Sequence, residues 1–161
     1  MMSIANTNMP RSERIIREIL ERLAKGEYAQ GWFFSIGRAE RVLTLDALSR
    51  GILLANGHVY LSDTQIQHAT RDSKRAAGIM VPEDELATFP QRLSQMELWY
   101  DIGHRNYVYL DRSNRSKYIV DTSRLIKLRG KKTRRALVIT MQKMRNVNLF
   151  GTDRKYMKVR D

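Results

Sequence analysis

Helices followed by a run of short strands predict an α+β fold, with N-terminal helices packed on a four-stranded antiparallel sheet. Three observations carry this expectation. In the first half, apolar residues recur at helical spacing, most clearly over residues 12–25 and 62–78. From Glu97 the pattern changes to short runs rich in Tyr, Val and Ile, divided by polar turns. The chain has 161 residues and is 42% hydrophobic, which suits one domain with a real core.

Taken in order, residues 1–11 carry no periodic signal and are expected to be disordered. Residues 12–25 read as an amphipathic helix with Ile15, Ile16, Ile19, Leu20 and Leu23 as its stripe and Gly26 as its stop. This stripe suits either the domain itself or a partner chain. The division expected is an N-terminal extension over 1–29 and a domain over 30–161. Residues 32–36 form a short aromatic and β-branched run, a strand ended by Gly37. A helix over 45–50 with Thr44 as its cap, a turn at Asn56-Gly57 and a strand over 58–61 follow. Pro82 suits the first turn of a helix whose Glu83, Asp84 and Glu85 complement its dipole. Pro90 should break or restart that helix, which ends near Gln95. Strands are expected over 98–102, 107–111, 117–121 and 135–141, with an edge strand over 155–159.

The stretch SDTQIQHATRDSKRAAG, residues 62–78, reads as one helix with a start, a face and a stop. Ser62 is a good N-cap, Gln65 completes a capping box, and Gly78 supplies the left-handed stop. Ile66, Ala69, Ser73, Ala76 and Ala77 fall on one side. At about 100° per residue, His68, Arg71 and Arg75 fall on the other, with Lys74 between. An imidazole flanked by guanidiniums suits an anionic ligand; a solvated basic face is the plainer reading.

The net charge is +12, and its distribution is uneven. Residues 1–102 hold 12 Lys and Arg against 13 Asp and Glu; residues 103–161 hold 17 against 4. A basic half on a near-neutral half is a footprint for a polyanion, RNA or DNA before an acidic membrane. The region from Arg112 to Arg135 holds ten basic residues and one acid, with Tyr107, Tyr109 and Tyr118 on the strands around it. Basic residues interleaved with aromatics suit a single strand held by phosphate and base, although strand tyrosines more often pack. The expected nucleic-acid contacts are Tyr109, Arg112, Arg115, Lys131, Lys132, Arg134, Arg135, Lys143 and Arg145.

Several chemistries are not signalled. Cysteine is absent, no apolar run approaches the roughly 20 residues of a bilayer span, and the N-terminus lacks the apolar core of a signal peptide. There is no GxxxxGK[ST], GxGxxG or HExxH, and the acids are scattered, so neither a cofactor nor a metal is expected. Nuclease chemistry here should therefore be metal-free, using His, Arg, Lys, Tyr and hydroxyl groups. Thr140 ends the most hydrophobic strand, as either a satisfied edge group or an active-site donor. His58 and His104 read as surface residues of turns.

The succession FFSIGRA, LSDTQIQHATRDSKRAAG, ELATFPQRLSQMELWYD, YVYLDRSNRSKYIV and RALVITMQK resembles the phage-associated branch of the barnase/EndoU/colicin/RelE (BECR) nuclease superfamily, found with Mu-type head-morphogenesis proteins and in polymorphic toxins. The similarity spans roughly residues 30–160 and rests on motif order. His68 matches the family's first histidine, Pro90 a proline, Lys117 the basic strand position and Thr140 a late threonine. The second histidine is missing, with Ser73 and Lys74 in its place, and a second proline is absent near Met96. The resemblance implies an α+β fold and metal-independent RNA cleavage with His68, Lys117 and Thr140 at family positions; Arg71 and Lys74 complete the candidate catalytic set as phosphate-stabilising cations, and the missing histidine leaves open whether one of them replaces it or activity is lost. It implies a prophage or toxin setting, in the bacterial host cytoplasm or with the virion. RNA, tRNA included, is the expected partner, with an inhibitor or phage protein on the N-terminal helix and no membrane. The alternative is a non-catalytic nucleic-acid-binding or virion-associated protein that keeps the fold.

Overall fold

A computed structural model describes residues 8–54 and 57–160. In chain order the elements are α1 (Arg11–Ala24), β1 (Phe33–Arg38), α2 (Arg41–Ser49), β2 (His58–Ser62), α3 (Asp63–Ala69), α4 (Asp72–Ala76), α5 (Glu83–Arg92), a 3-10 turn (Leu93–Gln95), β3 (Glu97–Asp101), β4 (Asn106–Asp111), β5 (Ser116–Asp121), β6 (Leu125–Leu128), β7 (Lys131–Arg134), β8 (Ala136–Lys143), a helical turn α6 (Leu149–Thr152) and β9 (Tyr156–Arg160).

The fold is α+β with a mostly antiparallel sheet, but the sheet has seven strands and not four, in the order β1-β2-β8-β5-β4-β3-β9. The expected strands β3, β4, β5 and β8 form its centre. β1 and β2 join as a hairpin on one side and β9 closes the other. The β2–β8 pair is parallel and short, Val59↔Ala136 and Tyr60↔Leu137. Strands read singly do not reveal how many share a sheet, which is why the count was too low. A second, two-stranded sheet is the β6–β7 hairpin.

The inner face carries the main core. Ile16, Ile19 and Leu20 of α1 pack there with Ile66 and Ala69 of α3, Leu86 and Phe89 of α5, and Val59, Leu98, Tyr118, Val138 and Met141 of the sheet. The stripe of α1 is thus buried in the domain's own core, and Arg17 reaches Asp84 of α5 at 2.9 Å. On the outer face, Ile126 of the β6–β7 hairpin packs with Tyr60 and Leu137. Phe150 packs there with Trp99, Val108 and Leu110.

Several local expectations change. Residues 62–78 form two helices, because Thr70 turns its hydroxyl back onto the carbonyls of Ile66 and Gln67, at 3.1 and 3.3 Å, and Arg71 is extended. Ser62 does cap α3, accepting from the Gln65 amide at 3.2 Å, and Gly78 at φ +71° does end α4. The break rotates α4, so Lys74 is buried while Ser73, Ala76 and Ala77 are exposed. The apolar stripe holds only for Ile66 and Ala69. Helix α2 starts at Arg41 on Glu40, leaving Thr44 inside it. Pro82 is the N-cap of α5, and Pro90 lies within that helix, which runs to Arg92 before the 3-10 turn. The strand β1 runs through Gly37, which takes φ +131° at a bulge. The expected disorder over 1–11 and the turn at Asn56-Gly57 lie partly outside the described residues; within them, Arg11 already begins α1.

Three tyrosines lie fully buried on the inner face, and each hydroxyl needs an acceptor there. Tyr107 donates to Asp46 of α2 at 2.5 Å, Tyr109 to Glu40 at 3.0 Å, and Tyr118 to Glu85 of α5 at 3.3 Å. Each carboxylate also meets a cation: Arg50 on Asp46, Arg160 on Glu40 and Lys143 on Glu85. Burial pushes all three phenols well above their ordinary range.

Glu85 also accepts from the Ser116 hydroxyl. Replacing it with Ala strips an acceptor from Ser116, Tyr118 and Lys143 together. Glu85→Ala is expected to lower stability by about 3 kcal/mol in urea unfolding at neutral pH; a loss indistinguishable from zero would refute the role given to this carboxylate.

Asp111 provides a pH test. Burial alone would raise its pKa, but hydrogen bonds from Asn114 and Arg92 outweigh it and hold the carboxyl below its ordinary range. A depressed folded pKa contributes stability above the unfolded value that is lost as pH falls through the folded one. Urea midpoints should therefore drop as pH falls below about 4. Arg92→Met should lower the neutral-pH midpoint and flatten this acid dependence; an unchanged dependence would contradict it.

Candidate functional site

The site grows from the way β2 ends. After pairing with Ala136 and Leu137, β2 turns into α3 and leaves the rest of β8 without a strand on that side. α3 packs against β2 and β8, and the segment after α4 completes the cover, with the Lys143 amide donating to the Ile79 carbonyl at 2.8 Å. Within this seam, Lys74 extends its Nζ to the Met141 carbonyl at 3.2 Å. A carbonyl left by the missing strand is thus met by an ammonium.

Burial pushes the Lys74 ammonium pKa down, and the charges of Arg71 and Lys117 push it the same way. Arg71, the N-cap of α4, and Lys117 of β5 thus each act on Lys74. Lys117 is itself lowered by burial, with Asp101 opposing and Lys155 adding to the effect. Among the expected catalytic residues, Lys74 is the one that both Arg71 and Lys117 influence. His68 is exposed on α3, as its place opposite Ile66 and Ala69 predicts. Thr140 pairs with Ile119 across β5 and β8, beside Met141, and is half-buried. Register puts Lys117 next to Gln142 and two residues before Ile119, so Lys117, Thr140 and Gln142 share the outer face. His68 approaches from α3, whose apolar side belongs to the inner core. The candidate set straddles the β8 edge.

Lys117 and Gln142 line a cavity of about 360 Å³ with Lys143, Arg145, Asn146, Ala77 and Ile79. Its cationic lining suits an anion. A second groove of about 410 Å³ runs on the other side of the helix break, with Arg71, Thr70, Gln67 and Tyr28 in its wall. Among the described residues no three His, Asp or Glu side chains gather as a metal site requires. Nor, among the described residues, is any helix long and apolar enough to cross a membrane.

The expected nucleic-acid contacts divide. Tyr109 is buried in the core and donates to Glu40, so it cannot stack on a base. Arg112 grips Glu97 through Nε and Nη2, at 2.6 and 2.9 Å. Lys143 is held by Glu85 at 2.6 Å, and Arg135 donates to the Tyr60 hydroxyl and the Thr133 Oγ1, both at 2.8 Å. These three serve the fold. Lys131, Lys132 and Arg134 are exposed on the β6–β7 hairpin, and Arg115 and Arg145 are exposed at strand ends. Sequence alone does not separate the groups, because each counts as +1 until its neighbour is known. His104 pairs with Asp101 at 2.9 Å, and His58 is half-buried against Ser35.

Arg105, Arg115 and Arg129 sit in turns with φ of 55°, 56° and 53°, a left-handed region where Gly or Asn is more comfortable. Placing arginine there costs about 1 kcal/mol each.

Set against protein-family models, curated proteins and solved structures, the chain matches none of them.

The β6–β7 hairpin generates a salt prediction. Neutralising Lys131, Lys132 and Arg134 together should reduce the slope of log affinity against log salt for single-stranded RNA by about 2. Binding titrations across a salt series check it; an unchanged slope would remove the hairpin from the interface.

Proposed function

We propose that this chain is a metal-independent endoribonuclease of phage, prophage or toxin type. The observation that carries the reading is the cationic seam along β8: Lys74 lies buried on the Met141 carbonyl, and Lys117 lines a cavity with Lys143 and Arg145, near the helix that exposes His68. Besides burial, Arg71 and Lys117 both push the Lys74 ammonium pKa down, and an anion bound there would relieve that repulsion. The exposed Lys131, Lys132 and Arg134 of the β6–β7 hairpin supply a second surface for the same kind of ligand.

The chemistry follows from these groups. The 2′-hydroxyl oxygen attacks the adjacent phosphorus and its proton passes to the His68 imidazole. The P–O5′ bond breaks, leaving a 2′,3′-cyclic phosphate, and the 5′-oxygen takes a proton. Arg71 and Lys117 stabilise the charged phosphorane. Lys74 holds the seam through Met141 and adds its charge at short range. Lys117, whose ammonium is held below its ordinary pKa by burial, suits the second proton transfer. Thr140 stands on the outer face as a hydroxyl donor. In this reading the protein works in a bacterial host, on a tRNA or another RNA, or travels with the virion.

The test is incubation with total RNA in EDTA. Wild type should cut, and His68→Ala should slow single-turnover cleavage by a factor on the order of 10² or more at nearly constant affinity. If wild type binds RNA and never cuts it, the chain is a nucleic-acid-binding protein of the same fold.

A further inference from the structure

Resting on the reading of the chain as an RNA-acting protein, we propose that the groove between the end of α1, the loop at residues 26–32 and the α3–α4 break is a subsite for an unpaired nucleobase. Its stacking platform is Tyr28 with Trp32, and its phosphate anchor is Arg71.

The loop exposes large aromatics that a monomer has no reason to leave in water. Tyr28 is 81% exposed and Trp32 56%, with Phe33 next in sequence at 38%. They are presented by an anchored backbone. The buried Asp63 carboxylate accepts from the Gln30 amide at 2.7 Å and the Trp32 amide at 2.8 Å, and the Asp63 amide donates to the Trp32 carbonyl at 3.1 Å. The Gln67 side chain accepts from the Ala29 amide at 3.3 Å. Asp63 and Gln67 both belong to α3, the helix that carries His68. The aromatic loop is therefore indexed to the proposed catalytic helix and not merely near it. Arg22 lies over the Trp32 ring at 5.8 Å, which leaves an aromatic surface already paired with a cation on one side.

Two adjoining pockets share Leu23, Glu27 and Tyr28 as walls: a small one of about 60 Å³ beside Trp32, and a larger, more open one of about 410 Å³ that ends at Thr70, Arg71 and Asp72. Arg71 also acts on the Lys74 ammonium. A nucleotide laid along the groove stacks its base on Tyr28 and Trp32 and brings its phosphate to Arg71, at the entrance to the cluster. Glu27 borders the part of the groove between the two ends, where a phosphate would be repelled, and Asp72 stands at the Arg71 end, so that one phosphate and no more is held there. This argues for one base entering from the strand, and against a track for the strand itself. Stacking on an aromatic ring requires the base to be unpaired, so the subsite selects single-stranded RNA over duplex.

The probe is a short single-stranded 2′-O-methyl oligonucleotide, which cannot be cut by 2′-hydroxyl attack. The chain has two tryptophans, of which Trp99 is buried, so binding at the subsite reads out as quenching of Trp32 emission. The expected result is quenching in wild type, its loss in Trp32→Phe, and about 10-fold or more weaker binding in Tyr28→Ala. Tyr28 is too exposed for its removal to unfold the chain. A duplex of the same sequence should show no dependence on Tyr28. Binding with no quenching, and with unchanged affinity in Tyr28→Ala and Trp32→Ala, overturns the subsite while leaving the RNA reading intact; such a result assigns the aromatic face to a protein partner. Quenching and Tyr28 dependence in a wild type that cuts no RNA supports the subsite and ends the nuclease reading.

Discussion

A buried phenol has to find an acceptor, and three of them dictate how the helical layer sits on the sheet. Tyr107, Tyr109 and Tyr118 occupy adjacent inward positions of β4 and β5 and reach Asp46, Glu40 and Glu85. Those carboxylates are half-buried, and Arg50 at the end of α2, Arg160 of β9 and Lys143 of β8 meet them. Tyr109 and Tyr118 each join three distant segments through one polar chain, and Tyr107 joins β4 to α2 and its C-cap. Hydrophobic burial supplies the bulk of the driving force, while these chains choose one docking geometry among the many that would bury similar area.

The same layer creates the seam that could do chemistry. A helix continuous from 62 to 78 would project its cations away from the sheet. The Thr70 hydroxyl competes for two backbone carbonyls, Arg71 leaves helical geometry, and α4 restarts with Lys74 turned toward Met141. The short parallel pairing of β2 leaves the carbonyl there to be found. A break in one helix and an early end to one strand together bring Lys74 within electrostatic range of both Arg71 and Lys117.

The basic C-terminal region has two jobs that composition blends into one number. Arg112, Arg135, Lys143 and Arg160 are engaged by partners within the chain: Arg112 and Arg135 tie strand to strand, Lys143 ties β8 to α5, and Arg160 ties β9 to Glu40. The hairpin lysines and the turn arginines face water. Only the second group is available to a polyanion, so the electrostatic footprint is smaller and more localised than the net charge suggests.

Periodicity and turn chemistry alone determined the α1 helix, the Ser62 cap, the Gly78 stop, the exposure of His68 and the strands of the central meander. These rest on interactions between residues a few positions apart, which sequence displays directly. The seven-strand count, the burial of Tyr109 and Lys74, and the division of arginines between structure and surface were decided only by the tertiary fold. Each depends on a partner beyond the reach of local pattern: Glu40 for Tyr109 and Met141 for Lys74, 69 and 67 residues away, and Glu97 for Arg112 across a strand pair. A polar side chain carries the same signal in sequence whether its partner turns out to be water or a buried carboxylate, and that choice belongs to packing.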